Sequence, residues 1–191
     1  ELAEHELGEG TFTVQVVDEQ SKINVNVLTP DQWRVLLRAC GVDTETVTVI
    51  SDSVGDWIDK DSLAKPNGAE DDYYMSLPSE EGGPYHCKNA ALDGIEELLL
   101  VKGVTRDIFY GHTAEGTTDS SVTGIGQFLT ALPFAKVNVN TAPPQVLQCI
   151  PGVTPDMAEK LVRYRQGDDG VDGTDDDKPF QAVDEIATVW S

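Results

Sequence analysis

Two acidic runs are the segments best equipped for chemistry. Between Asp168 and Asp177 six carboxylates fall within ten residues, interleaved with Gly170 and Gly173 and preceded by Gly167. Two unit charges 4 Å apart repel by about 1 kcal/mol in water and by about 4 kcal/mol at an effective dielectric near 20. A tight fold of this run therefore calls for a cation. Calcium takes roughly six to eight hard oxygen ligands from carboxylates, carbonyls and water, and the glycines let a chain wrap an ion. The candidate ligands are Asp168, Asp169, Asp172, Asp175 and Asp177. The spacing is not that of an EF-hand, since Asp-x-Asp-x-Asp-Gly is absent and no Glu closes the loop. An ordered calcium loop and a solvated loop stand as equal readings. The earlier run offers Asp56, Asp59, Asp61 and Glu70. These either converge on an ion or simply end a helix and face water. The cofactor expected is Ca2+, one ion or two.

No catalytic constellation accompanies these carboxylates. His5, His86 and His112 are the only histidines, and none has a nucleophile or metal spacing. Ser51, Ser53, Ser120 and Ser121 lack a Gly-x-Ser-x-Gly setting. Gly124-Ile125-Gly126 is a bare G-x-G with no strand-to-helix context. The chain reads as a non-enzymatic interaction domain. Cys40, Cys87 and Cys149 fit no zinc pattern and allow at most one disulfide; they read as small buried hydrophobes. A balance of 13 basic against 34 acidic residues gives a net charge of −21, which works against nucleic acid and anionic lipid as partners.

The elements that must position these residues carry local signals. Residues 11–18 and 22–27 both alternate, with Phe12, Val14 and Val16 on one face, and read as a β-hairpin turned at Asp18–Ser21. Thr29-Pro30-Asp31 is a helix start, and Trp33, Leu36, Leu37 and Cys40 follow at helical spacing to Gly41. A second helix is expected over 43–58, a long acidic connection over 59–89, a helix over 90–101, and a Gly/Thr/Ser loop over 111–126. Residues 128–132 are short enough to be strand or helix.

At residue 136 the opening pattern returns. Lys22-Ile23-Asn24-Val25-Asn26 is matched by Lys136-Val137-Asn138-Val139-Asn140. Each copy enters a Pro-marked helix, ends it at Gly-Val (Gly41-Val42, Gly152-Val153), and adds a second helix, Pro155 to Arg165 in the later copy. Each then has an acidic loop, a Pro-aromatic pair (Pro84-Tyr85, Pro179-Phe180) and an acid-bearing helix. The order argues for duplication. Short amides beside a helix start can bond free backbone groups. The second unit, with Ile150-Pro151-Gly152-Val153 between helices, resembles a helix-hairpin-helix. Asp156 just after the hairpin argues against phosphate binding there.

Taken together, Asp18-Glu19-Gln20-Ser21-Lys22-Ile23-Asn24-Val25-Asn26, Asp56-Trp57-Ile58-Asp59, Gly68-Ala69-Glu70, Tyr73-Tyr74, Pro84-Tyr85, Lys88-Asn89, Glu96 to Gly103 and Asn138 to Ala142 resemble the minor pseudopilin K family of bacterial type II secretion systems. The resemblance implies an α+β fold, a pseudopilin-type β-hairpin or sheet with a large inserted, mainly α-helical domain holding two helix-hairpin-helix-like repeats. On that reading residues 1–27 belong to the pseudopilin core, 28–135 to the first repeat and 136–191 to the second. The closing strands of the sheet lie beyond Ser191 or are missing. The resemblance further implies a tip-capping assembly role with minor pseudopilins I and J, and a periplasmic location below an inner-membrane anchor that would precede Glu1. Secreted substrates or the outer-membrane secretin are further candidate partners. Calcium in the helical domain is also implied. The competing classes are a calcium-dependent surface adhesin and a helix-hairpin-helix DNA-binding module.

Overall fold

A computed structural model describes residues 4–14, 16–112, 121–134 and 136–190. Residues 113–120, the centre of the expected Gly/Thr/Ser loop, lie outside it, as does Ser120. Strands β1 (Glu4–Leu7) and β2 (Gly10–Thr13) form an antiparallel hairpin in which His5 faces Phe12. Phe12, Val14 and Val16 are exposed. The expected pairing of 11–18 with 22–27 is not formed. Instead β3 (Ile23–Asn24) runs parallel to β4 (Leu129–Thr130). Alternation specifies which face a strand buries, not which strand it meets. The turn residues are also committed elsewhere. The Asp18 side chain caps a 3-10 turn at Glu19–Ser21, and its other oxygen accepts hydrogen bonds from Asn138 Nδ2 (2.8 Å) and Thr141 Oγ1 (2.6 Å). That ties the N-terminal segment to the second repeat.

Helix α1 (Pro30–Ala39) begins as its signals require. Thr29 and Gln32 form a reciprocal capping box ahead of Pro30. Asp43 caps α2 (Thr44–Ile58) by accepting from the Glu45 and Thr46 amides. Short α3 (Asp71–Tyr74) and α4 (Arg106–Tyr110) follow. The segment expected as a helix over 90–101 is a 3-10 turn at Ile95–Leu100 only. Its start is fixed by the Glu97 carboxylate, which accepts from the Asp93 and Gly94 amides. In the second half come α5 (Pro144–Leu147), α6 (Pro155–Arg165) capped by Thr154, and α7 (Val183–Trp190). Gly41 (φ +85°) and Gly152 (φ +88°) occupy equivalent left-handed turns between the paired helices.

The duplication is structural. Asn26 clamps Leu92 through two hydrogen bonds, Nδ2 to the carbonyl at 2.9 Å and the amide to Oδ1 at 2.8 Å. Asn140 clamps Phe180 in the same way, at 2.9 and 2.8 Å. In each case the preceding Asn (Asn24, Asn138) accepts from the clamping residue's own amide. The repeats therefore align Leu92 with Phe180, and the sequence match of Pro84-Tyr85 to Pro179-Phe180 shifts accordingly. Both halves share one core, with Trp33, Leu36, Leu37, Val47 and Ile50 from the first and Ala142, Val146, Leu147, Ala158 and Leu161 from the second. Gln32 Nε2 donates to the Cys149 carbonyl across the seam, 2.9 Å.

Candidate metal centre

Helix α2 carries Asp52 and Asp56 in its last turns, Asp59 is its C-cap, and the loop from 60 to 70 folds back over them. Asp56 is fully buried. Its carboxylate accepts from Lys65 Nζ at 2.8 Å and from the Lys65 amide at 3.1 Å. Asp52 accepts from the Asn67 amide (3.3 Å) and Nδ2 (3.1 Å). A Cβ on Gly68 would collide with the Asp56 carboxylate, so this close crossing requires glycine. Lys102 Nζ then pins the loop by donating to the Asn67 and Gly68 carbonyls.

Folding the loop this way brings Asp59, Asp61 and Glu70 together. One oxygen from each lies within 4.8 Å of the others. Calcium–oxygen distances are about 2.3–2.6 Å, so ligands on opposite sides of one ion stand about 5 Å apart, and the group fits a single calcium. Glu70 is only 5% exposed, and neither of its oxygens has a hydrogen-bond partner. Asp59 Oδ2 bonds Lys65 Nζ at 2.8 Å, while its Oδ1 is buried without a partner. Asp61 is exposed and accepts from the Leu63 amide, 2.9 Å.

The electrostatics point the same way. Burial pushes the Glu70 carboxyl above the usual range; the neighbouring Cys87 thiol opposes this, and the charges of Asp56, Asp59 and Asp61 add to the rise. Lys65 is raised above its ordinary value: burial opposes its charge, but the hydrogen bonds to Asp56 and Asp59 outweigh that. One internal ammonium serves Asp56 and half of Asp59. It leaves Glu70 and the inner oxygen of Asp59 unanswered. Buried carboxylate oxygens of this kind are rare unless paired or ligating a metal.

Aromatic rings pack beside the last turn of α2. Tyr74 stacks on Tyr85 at 5.4 Å and meets Trp57 edge-on at 5.1 Å. Asp71 accepts from the Cys87 amide at 2.7 Å and pairs with His86 Nδ1 at 2.9 Å, closing the connection from 71 to 87. The long acidic segment is thus ordered structure.

The second acidic loop is arranged differently. Asp176, which the sequence reading passed over as a ligand, is its hub. It accepts from the Asp168 and Asp169 amides (2.6 and 3.2 Å) and from Thr174 Oγ1 (2.7 Å). The Thr174 bond first, and then those amides, hold its carboxyl below the usual range. Asp168 pairs with Lys178 (2.9 Å), Asp169 accepts from the Val171 amide (2.8 Å), and Asp172 meets Arg165 Nε at 3.3 Å. Asp177 accepts from the Gly173 amide (2.7 Å), with its other oxygen buried and unpartnered; Asp175 is exposed. Among the described residues the convergent acidic group is the one in the first loop, without Asp56. Lys65 and Asn67 were also missed. Lys65, in the middle of the acidic loop, is the sequence signal that points to an internal counter-ion. Cys40, Cys87 and Cys149 are all buried and unbridged.

Comparison with known proteins gives the family of the chain. Residues 11–110, more than half of the chain, match the family model for type II secretion system protein K. The chain belongs to that family. Residues 133–190 match a helix-hairpin-helix motif, in agreement with the second repeat. Similar relatives are type II secretion system protein K of Pectobacterium carotovorum, 34% identical over 52% of this chain and 34% of that protein, and protein K of Pseudomonas aeruginosa, 30% identical over 87% of this chain and 48% of that protein. The chain therefore spans half or less of the length of these relatives. Among solved structures, one from the GspK-GspI-GspJ complex of the enterotoxigenic Escherichia coli type 2 secretion system shares the fold, with a TM-score of 0.63 at 19% identity over 97% of this chain and 61% of that one. The mixed architecture of helices with small sheets accords with this protein K fold. No helix among the described residues is long and apolar enough to cross a membrane.

Proposed function

We propose that this chain is the non-enzymatic helical part of a minor pseudopilin that docks with minor pseudopilins I and J at the tip of a type II secretion pseudopilus. It works in the periplasm, on a protein held at the inner membrane, and one calcium ion bound by Asp59, Asp61 and Glu70 orders it. Family membership across residues 11–110 supports the assembly role. The observation that carries the calcium reading is the buried Glu70 carboxylate, which has no partner on either oxygen. The donor set fits the ion: all hard oxygens, with no fixed geometry demanded of them by calcium. Bound there, calcium supplies positive charge and cross-links the end of α2 to the residue preceding α3. The chemistry is structural. It lets a chain with a net charge of −21 fold its acidic loop against its own helix.

Two measurements test this. The chain is melted in chelator and in millimolar calcium; a rise in Tm is expected, and equal melting would refute the calcium reading. Separately, it is mixed with purified soluble domains of minor pseudopilins I and J in calcium-containing buffer. Co-elution on size exclusion is expected, and separate elution would refute the docking partners and favour a free-standing adhesin.

A further inference from the structure

Lys22 and Lys136 hold the same place in the two repeats, at the head of each Lys-apolar-Asn-Val-Asn unit. In the folded chain both line one hollow of about 390 Å³. Its apolar lining comes from Ile23, Val27, Phe134, Val137, Ile150 and Pro151. Val27 is 59% exposed and Phe134 37%, so this lining is left open to solvent. A second hollow of about 420 Å³ adjoins it. The two share Gln32, Cys149, Ile150 and Pro151 as a common wall, and the second adds Val35 and Val153. Concave, mostly apolar surface with a few polar groups is the form that binding sites take.

The polar groups inside are already committed. Gln32 donates through Nε2 to the Cys149 carbonyl and accepts through Oε1 from the Thr29 amide, both at 2.9 Å. Asn24 Oδ1 accepts from the Asn26 amide at 2.9 Å. The lining therefore selects apolar groups. The rim adds a charge. Lys22 is answered by Glu19 at 2.9 Å, whereas Lys136 is exposed and has no ion-pair partner among the described residues. Elsewhere Lys65, Lys88, Lys160 and Lys178 are each held by a carboxylate. In a chain with 34 acids and 13 bases, an unanswered ammonium at the mouth of an apolar hollow is complementary to an anion from outside. Asp31, exposed beside the second hollow, disfavours an anion at that end. The charges thus give the groove a direction.

We propose that the two hollows form a docking groove for an extended segment of another protein, which seats apolar side chains in them and sets an acidic side chain against Lys136. An extended chain sends every second side chain to one face, which suits two hollows with a common wall better than a single acyl chain does. The inference stands apart from the calcium reading and from the identity of the docked pseudopilins.

The probe is the peptide acetyl-Leu-Thr-Val-Ser-Asp-amide, whose Leu, Val and Asp share a face, compared with its Asn-ending analogue and with decanoate. Binding to the chain is followed by NMR amide shifts at low salt. Millimolar acidic peptide is expected to shift Val27, Phe134, Val137 and Ile150, and the Asn analogue to bind about threefold more weakly. Lys136→Glu should abolish that preference and weaken the acidic peptide by at least about threefold. Phe134→Ser should weaken both peptides, while Val183→Ser, exposed on α7 outside both hollows, should bind as wild type does. Lys136 is exposed, so its variant carries the test even if Phe134→Ser fails to fold. Absence of shifts at these four residues overturns the inference, as does equal affinity of wild type for the two peptides. Tighter binding of decanoate would mark an acyl-chain site instead, and shifts that grow with protein concentration alone would mark a second copy as the occupant; either result also overturns it.

Discussion

Replacing Glu70 with Gln separates a metal centre from an ordinary buried acid, because the two conditions of measurement should answer with opposite signs. In chelator the wild-type carboxylate is 5% exposed with no hydrogen-bond partner. A buried polar group left unsatisfied costs about 1–3 kcal/mol, more when charged. The neutral amide removes the charged part of that penalty, for a gain of about 1–2 kcal/mol. In a protein of this length each kcal/mol moves Tm by about 2–4 °C, so Glu70→Gln should melt about 2–8 °C above wild type in chelator. The gain depends on pH. The folded-state pKa of Glu70 is raised, chiefly by burial, with the Cys87 thiol opposing and the acidic neighbours adding to the rise. Its contribution to stability is therefore fully present below the unfolded value of 4.5 and is lost as pH rises through the raised folded value. The advantage of Gln should vanish near pH 4 and grow toward neutrality. In calcium the order reverses. A ligand at a hundred times its Kd stabilises by about 2.7 kcal/mol, roughly 5–11 °C here, and the variant loses most of it. The assay is a set of calorimetric melts from pH 4 to 8 in chelator and in millimolar calcium. A variant shifted in the same direction by the same amount in both buffers would refute the reasoning.

Three further outcomes follow from the geometry. Asn26→Ala and Asn140→Ala each remove two backbone clamps, and should each lower stability by about 2–4 kcal/mol in urea unfolding, with faster hydrogen exchange at the Leu92 or Phe180 amide of the affected half; unchanged exchange at both amides would contradict the clamp. Burial pushes the Cys40, Cys87 and Cys149 thiols up to about 12, so iodoacetamide at pH 8 should leave all three unlabelled in the native chain and label all three in guanidinium; labelling of the native chain would contradict this. With Asp156 in the first turn of α6 and a net charge of −21, the helix-hairpin-helix should not retard duplex DNA at low salt, and sub-micromolar binding would reverse that judgement.

Much of this was legible in the chain. Thr29-Pro30, Asp43 and Thr154-Pro155 mark helix starts because a side-chain oxygen ahead of free amides is a local device that needs no tertiary partner. The repeated Asn pairs were readable as a repeat, and the structure supplies their purpose, closing each half on a residue far along the chain. The unread parts depend on distant partners. The bridge from Ile23-Asn24 to Leu129-Thr130 is two residues long and leaves no periodicity to find. The segment over 90–101 looks helical by composition, but the clamp on Leu92 and the reach of Glu97 to Asp93 hold its start extended. By charge density alone the richer of the two acidic loops is 168–177. What matters is the donors each carboxylate meets. Asp168, Asp169, Asp172 and Asp176 meet amides, Lys178 and Arg165, whereas Glu70, first of the run Glu70-Asp71-Asp72, meets no amide and no cation.

The two halves therefore solve one problem in two ways. Each must turn from its second helix through an acidic loop and return to be clamped by asparagine. In the second half the helix itself delivers the positive charge. Arg165, 5% exposed, donates to the Val139 and Ala142 carbonyls behind the asparagine clamp while its Nε holds Asp172 of the loop. In the first half α2 and its C-cap deliver acids there, Asp52, Asp56 and Asp59; Arg34 of α1 reaches Asp52 at 3.5 Å, and the loop's Lys65 serves Asp56 and Asp59. An internal guanidinium fixes its loop at any calcium concentration. On the proposed calcium reading, the first half is fixed only where that ion is abundant. Calcium dependence should therefore appear in hydrogen exchange over residues 59–89 and be absent over 168–177, and the pieces of surface that move with calcium should be those around α3.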